Sequence, residues 1–255
     1  APAWLINLLA PRITYNFSAA SRSTGYSLEN QNRVNGFAML LAKIDKPNVP
    51  SAKFTVETSS IGFALTDVTG KSSYQRTTTN GRDQVTWTDA LPDTDIVYTV
   101  VDDGLKEDII LKSNQTANQL LKDRTRYQLF YDLTVTNAKP RVGIDGQYSP
   151  VFIDNLTGEY RFHIAPPTMV DAKGARYNAL KYVLKPGTII TEKPVPITTL
   201  ADWGVVSRSY AQAAPAPTQS YRLVIDLPRE WLAEKNRAYP VPIAPTLTHN
   251  TQSVF

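Results

Sequence analysis

The stretch that decides the fold is Asp95-Ile-Val-Tyr-Thr-Val-Val-Asp-Asp-Gly-Leu-Lys-Glu-Asp-Ile-Ile-Leu-Lys112. It consists of two runs with apolar residues at alternate positions, joined at Asp103-Gly104. A period of two places successive side chains on opposite faces of a β-strand. An Asp-Gly pair between two such runs is the strongest short-range signal for a hairpin. The stretch therefore predicts two antiparallel strands with one buried face.

The same alternation extends through most of the chain, for example over Arg12–Ser18 and Tyr127–Thr136. Turn pairs such as Asn80-Gly81 separate the strand-like runs. Helix signals are confined to Asn114–Lys122 and Pro228–Glu234. The pattern predicts an all-β protein of antiparallel β-sandwich architecture, as one sandwich or as two packed β units, with at most one or two short helices.

Composition suggests three regions along the chain. A polar stretch at 71–82 marks a boundary between an N-terminal β-rich region, 1–82, and a β-sandwich, 83–248. The sandwich carries a proline-rich inserted loop at 206–218, which is small, uncharged and typical of an extended connection. Residues 249–255 are predicted to form a polar C-terminal tail.

Several kinds of chemistry are disfavoured by composition. The chain has no cysteine, which excludes disulfides, thiol catalysis and cysteine-ligated metals. Its two histidines are expected apart, His163 on the polar face of a strand and His249 in the tail, so a zinc site is not expected. The net charge of +4, from 27 basic and 23 acidic residues spread along the chain, does not argue for nucleic acid. No stretch reaches the ~18 apolar residues of a membrane span.

Seven acidic residues within twenty positions are the first candidates for a site. We interpret most of them as solvated strand ends and turns, and Glu107 and Asp108 should point to opposite faces of one strand. One alternative is a calcium site formed by the three carboxylates of the loop that begins the cluster. Another is a pair of carboxylates in a cleft, as glycoside hydrolysis requires. The seven are Asp89, Asp93 and Asp95, which form that calcium candidate, with Asp102, Asp103, Glu107 and Asp108.

Exposed aromatic rings would indicate a sugar-binding surface, because carbohydrate modules stack aromatic side chains on sugar rings. Trp87 alternates with Val85 and is expected in the core. Trp203, next to Gly204 and the proline-rich loop, is the tryptophan expected to be partly exposed and is the candidate ligand-binding residue. Packing inside the protein remains the favoured interpretation of the tryptophans.

Three segments in order carry a family resemblance. They are the hairpin stretch Asp95–Lys112, Ala165-Pro-Pro-Thr-Met-Val-Asp-Ala-Lys-Gly174, and Trp231-Leu-Ala-Glu-Lys-Asn-Arg-Ala-Tyr-Pro-Val-Pro-Ile-Ala-Pro-Thr246. Over roughly residues 84–248 the chain resembles a β-rich region of bacterial cell-surface and secreted proteins that carry wall-associated or YD/RHS repeats. That region ends in a similar Trp-Leu … Tyr-Pro-Val-x-Ile-x-Pro-Thr run. The chain departs from it at Ala244, where the family-like ending has an acid.

The resemblance implies a secreted or cell-surface protein with a structural role. The residues themselves offer no motif for catalysis or for a cofactor, so neither is expected. The resemblance also implies that Trp231 packs under the final strand. We expect a scaffold module that contacts copies of itself or neighbouring segments of a larger surface protein, through its tail 245–255 or by strand addition at an exposed sheet edge. The alternatives are a carbohydrate-binding β-sandwich module, with a glycan held at Trp203, and a glycoside-active enzyme.

Overall fold

The structure is a computed structural model that describes residues 16–32, 36–71, 73–114, 127–142, 149–187 and 218–249. Within these ranges the chain forms two antiparallel sheets packed face to face, which confirms the all-β sandwich prediction. The strands, in chain order, are β1 (Ser18–Ala19), β2 (Tyr26–Asn32), β3 (Phe37–Lys43), β4 (Ser51–Val56), β5 (Ser59–Leu65), β6 (Gln75–Thr79), β7 (Arg82–Leu91), β8 (Thr94–Val101), β9 (Gly104–Leu111), β10 (Tyr127–Thr136), β11 (Ala138–Val142), β12 (Pro150–Asp154), β13 (Tyr160–Val170), β14 (Arg176–Tyr177), β15 (Tyr182–Pro186), β16 (Thr218–Leu227) and β17 (Val241–His249).

Helical structure is short in the described residues. A 3-10 turn spans Arg22–Thr24, and the helix α1 spans Arg229–Leu232, inside the segment predicted to be helical. Pro228 is the N-cap of α1, one position before the first helical turn. The other predicted helix, Asn114–Lys122, lies outside the described residues from position 115 onward. Within the described ranges, no helix has the length and apolar character that a membrane crossing requires.

The two sheets interleave distant parts of the chain. The eight-stranded sheet has the order β1-β2-β3-β4-β5-β10-β16-β15, and the nine-stranded sheet has the order β11-β12-β13-β17-β9-β8-β7-β6, with β14 paired to β13. Strands β1 to β5 of the region before the boundary at 82 therefore share a sheet with β10, β16 and β15. Strand β6 from the same region ends the other sheet. The described part of the N-terminal region has no sheet of its own.

One continuous apolar core lies between the sheets. Alternation along the strands buries Leu41 and Phe54 from the first sheet and Trp87 and Ile109 from the second. The indole N–H of Trp87 donates to the carbonyl of Pro47 at 2.9 Å, so the one polar atom of this side chain is satisfied. The core position expected for Trp87 is confirmed.

The predicted hairpin forms between β8 and β9, but Gly104 does not lie in its turn, as the Asp103-Gly104 pair had predicted. Val101 pairs with Gly104, so the turn residues are Asp102 and Asp103 and Gly104 is the first residue of β9. A Cβ atom on Gly104 would lie 1.9 Å from the carbonyl oxygen of Leu247 in β17. The glycine is thus required by the close approach of β17 and not by the turn.

The C-terminal tail was predicted to begin at position 249, but His249 still belongs to a strand in the structure. His249 is the last residue of β17, a strand that lies between β13 and β9 inside the nine-stranded sheet. Its ring is 5.1 Å from that of Phe37 and 5.9 Å from that of Phe54, and its backbone N–H donates to Asp103. The end of the chain up to this residue therefore folds back on its own sandwich, and residues 245–249 are not free to join a neighbouring chain. Residues 250–255 lie outside the described residues.

Candidate functional site

A carboxylic acid lies in the middle of the sandwich core. Glu107 belongs to β9, where it alternates with the buried residues Leu105 and Ile109, and it is only 7% exposed. The interpretation of Glu107 as a solvated residue is therefore wrong. Asp108 does point to the opposite face, as predicted, and its carboxylate pairs there with Lys106 at 2.8 Å. The signal for its burial was present in the sequence, because strict alternation puts position 107 on the apolar face.

Tyrosines from both sheets surround this acid. The hydroxyl of Tyr131, in β10 of the opposite sheet, donates to Oε1 of Glu107 at 2.9 Å. The hydroxyl of Tyr98, in β8, lies close enough to act on the ionisation of Glu107, although it makes no hydrogen bond of regular geometry. The hydroxyl of Tyr182, in β15, donates to the carbonyl of Ala165 at 2.9 Å. We call Glu107, Tyr98, Tyr131 and Tyr182 the inter-sheet acid cluster.

A cavity of about 30 Å³ adjoins the cluster. Its walls are mostly apolar and come from both sheets, including Phe63, Leu133 and Ile164. This is the space of a water molecule, which needs roughly 10–15 Å³ of such volume, and it is far below the several hundred Å³ of a pocket for a sugar-sized ligand.

The carboxyl group of Glu107 is mostly protonated at neutral pH. Burial raises the pKa of Glu107 to about 8, against the opposing effect of the Tyr131 and Tyr98 hydroxyls, and the charge of Asp108 adds to the increase. Burial also raises the pKa of Tyr98, Tyr131 and Tyr182. A neutral acid among neutral phenols can accept and donate hydrogen bonds across the core, and the small cavity admits no larger reactant. The arrangement suits polar packing between sheets.

The proposed calcium ligands have different partners. The ammonium group of Lys112 lies 2.7 Å from the carboxylate of Asp89 and 2.8 Å from that of Asp95, in the place where a metal ion would bridge them. The carboxylate of Asp93 instead accepts from the hydroxyl of Ser113. Burial lowers the pKa of Lys112, but the hydrogen bonds to Asp89 and Asp95 outweigh it, and the pKa is raised. No group of three histidine, cysteine or acidic side chains with metal-binding geometry occurs among the described residues.

A buried arginine ties the two sheets together at one end. Alternation along Tyr160–Ile164 would place Arg161 beside His163 on the polar face of β13. The register with β12 shifts by one residue there, since Phe152 pairs with Phe162 and Ile153 pairs with Tyr160. The extra residue is Arg161, and this β-bulge turns its side chain inward, where it is 5% exposed. No sequence pattern indicates this inward position, because a bulge cannot be predicted from alternation alone.

Arg161 meets carboxylates from both sheets. Its guanidinium lies 3.2 Å from the carboxylate of Asp154, the last residue of β12. It lies 2.9 Å from the carboxylate of Glu57, in the turn between β4 and β5. It also lies 3.3 Å from the exposed Glu159. The hydroxyl of Ser59, at the start of β5, donates to Asp154 at 3.0 Å. We call Arg161, Asp154, Glu57 and Ser59 the inter-sheet lock.

Asp154 is charged in this lock. Desolvation raises its pKa, but backbone N–H groups of Thr157 and Leu156 together with Ser59 and Arg161 outweigh that effect and lower the pKa to about 2. The same carboxylate therefore closes the β12–β13 turn and pairs with the arginine. One residue connects a local turn to the contact between the sheets.

A second buried arginine organises the segment before β17. The guanidinium of Arg237 lies 3.3 Å from the centre of the Trp231 ring and 3.1 Å from the carboxylate of Asp171. Asp171 also accepts from the backbone N–H groups of Lys173 and Ala175, which closes the turn after β13. Trp231 is thus covered on one face by a cation. Trp203, the tryptophan proposed to bind a sugar, lies outside the described residues.

A comparison of this chain with protein-family models, with curated proteins and with solved structures finds no match.

Proposed function

We propose that this chain is a non-enzymatic structural module of an extracellular, bacterial cell-surface protein, and that it assembles with neighbouring copies of itself. The inter-sheet lock is the observation that carries the proposal. Arg161 and Asp154 are both buried, and together they join the β4–β5 turn of one sheet to the β12–β13 turn of the other. Paired charges of this kind fix how two sheets sit on each other.

The other charges of the described residues support the same role. Arg237 and Asp171 join the turn after β13 to the segment before β17. Arg76 and Asp83 join β6 to β7, and Asp83 also accepts from the backbone N–H of Phe17 at 2.8 Å. Each of these buried carboxylates closes a connection between strands. A domain under mechanical force or exposed to proteases needs rigid connections, because local opening starts at loops and strand ends.

The acid cluster supports a structural role as well. A catalytic acid must reach its substrate, and Glu107 faces a space of only about 30 Å³ in the core. The family resemblance of Asp95–Lys112 and the two later segments supports the extracellular location.

The experiment that tests the proposal is a measurement of assembly state and shape for the full chain. Light scattering and negative-stain imaging over a concentration series should show filaments, layers or defined oligomers. The structure sets the limit for C-terminal deletion, because β17 runs to His249 between β13 and β9. Deletion of 250–255 and deletion of 1–11 are therefore the variants to compare with the full chain. A chain that remains a monomer at every concentration would overturn the proposal.

A further inference from the structure

Strand β6 ends the nine-stranded sheet, and all five of its residues are exposed. An exposed strand edge presents unpaired backbone groups, which other chains can use for pairing. Natural edges are blunted by proline, by charged side chains such as lysine, by bulges or by very short strands.

The other edge strands among the described residues carry such devices. Strand β11 contains Lys139, Pro140 and Arg141, and strand β15 ends in Lys185-Pro186. Strands β1 and β14 have two residues each. Strand β6 has the sequence Gln75-Arg-Thr-Thr-Thr79, without proline, glycine or lysine, and its pairing with β7 continues without a register shift. Its one charge, on Arg76, is neutralised by Asp83, whose carboxylate lies 2.8 Å from Nε of the arginine.

The hairpin turn determines which backbone groups of β6 face outward. Thr79 pairs with Arg82, and the two residues between them, Asn80 and Gly81, have φ angles of 52° and 75°. This is the two-residue type I′ turn, in which the flanking pair exchanges hydrogen bonds. In an antiparallel pair, hydrogen-bonded and non-bonded positions alternate. The N–H and C=O groups of Arg76 and Thr78 therefore point away from β7.

We propose that β6 pairs with β6 of a second copy, antiparallel, about a two-fold axis through Thr77. In this register Arg76 of each copy faces Thr78 of the other, and both pairs exchange two hydrogen bonds, since these residues carry the outward groups. Thr77 of one copy faces Thr77 of the other, and Gln75 of each copy faces Thr79 of the other. No like charges oppose each other, and two copies of the nine-stranded sheet become one sheet. This inference rests on the proposed function and names the surface through which copies meet.

The contact is self-complementary, as a two-fold interface must be. Four backbone hydrogen bonds contribute little net free energy, about 1 kcal/mol each, so an isolated pair is a weak dimer. A second contact in an array would strengthen it through effective concentration.

A single cysteine provides the sharpest test, because the chain has none of its own. At the two-fold position, Thr77 and its copy form a non-bonded antiparallel pair with Cα atoms about 4.5 Å apart, within the range of a disulfide. We expect T77C to form a disulfide-linked dimer under mild oxidation. T79C is the matched control, since its two copies would be separated by four residue steps, roughly 14 Å. Equal cross-linking of T77C and T79C would overturn the register.

Charge exchange tests the same register without oxidation. T77K and T77E should each be monomeric, because like charges would oppose each other at the axis, and an equimolar mixture should dimerise. Q84K adds the same charge to the neighbouring strand and should leave association unchanged. A mixture that fails to restore the dimer would contradict the contact.

Removal of one backbone donor completes the test. T78P and T78V both lose the hydroxyl that donates to Asp83, at 2.6 Å, but only proline removes the outward N–H. We expect T78P to abolish association in sedimentation velocity and T78V to retain it, with both variants folded by circular dichroism. Assembly that persists in T78P and T77K overturns the β6 contact and leaves the proposed function standing. A wild-type chain that never associates overturns both.

Discussion

The hydroxyl of Tyr131 in the eight-stranded sheet lies 2.9 Å from the carboxylate of Glu107 in the nine-stranded sheet. The two residues are 24 positions apart and approach each other only because β9 and β10 belong to different sheets. This hydrogen bond satisfies a buried acid in the middle of an apolar core, where an unsatisfied polar group costs about 1–3 kcal/mol.

Stability should therefore depend on pH through Glu107. The pKa is about 8 in the folded protein and 4.5 in the unfolded chain, so the folded state binds the extra proton between these values. The free energy of unfolding is largest below about pH 4.5 for this group and falls as the pH rises to about 8. The upper limit of the loss is about 5 kcal/mol.

Glu107→Gln tests this dependence. Glutamine keeps a carbonyl oxygen for the Tyr131 hydroxyl and cannot ionise, so urea unfolding should give similar stability at pH 5 and higher stability than wild type at pH 9. Asp102→Asn removes an exposed acid in the turn before the same strand, which does not act on Glu107, and as the control it should keep the wild-type slope. A variant with an unchanged pH slope would contradict the assignment.

Removal of the arginine from the inter-sheet lock should lower the free energy of unfolding strongly. Arg161→Met leaves Asp154 and Glu57 without their cation, and the loss of a partner from a buried pair costs about 3–5 kcal/mol. Chemical denaturation would measure it. Glu159→Gln removes an exposed partner of the same arginine and should change the stability by no more than about 1 kcal/mol. Equal effects of the two variants would argue against the lock.

Gly104→Ala should destabilise the sandwich because the new methyl group would overlap the carbonyl of Leu247 in β17. We expect about 3 kcal/mol, since a strand of the sheet must move. Gly81→Ala is the comparison. It has open space around its Cβ position and a φ of 75°, so strain alone should cost about 1–2 kcal/mol. Differential scanning calorimetry of the two variants would rank them, and a milder effect at Gly104 would contradict the close approach.

Calcium should leave the melting temperature of the wild-type chain unchanged. The ammonium group of Lys112 already bridges Asp89 and Asp95, so a divalent ion would have to displace it. In Lys112→Ala the two carboxylates lose this partner, and millimolar calcium should raise the melting temperature. Lys106→Ala removes a comparable surface pair with Asp108 and should show no response to calcium. Stabilisation of the wild type by calcium, reversed by a chelator, would contradict this prediction.

The sequence by itself determined the strands and the hairpins, because a period of two and turn pairs are local properties. The alternation of Asp95–Lys112 predicted β8 and β9. It also placed Glu107 on the inner face, although Glu107 was interpreted as a solvated residue. The short helix after Pro228 could likewise be predicted from its proline and its acidic first turn, although Pro228 is the N-cap and not the first helical residue.

The tertiary structure decided which strands share a sheet and which charges are buried. Arg161 turns inward at a bulge that depends on its pairing with β12, and Gly104 is required by a strand 143 positions later in the chain, at Leu247. The tail residue His249 lies in the core because β17 enters the sheet between β13 and β9. Such features depend on contacts between segments far apart in sequence, and a local pattern carries no information about those partners.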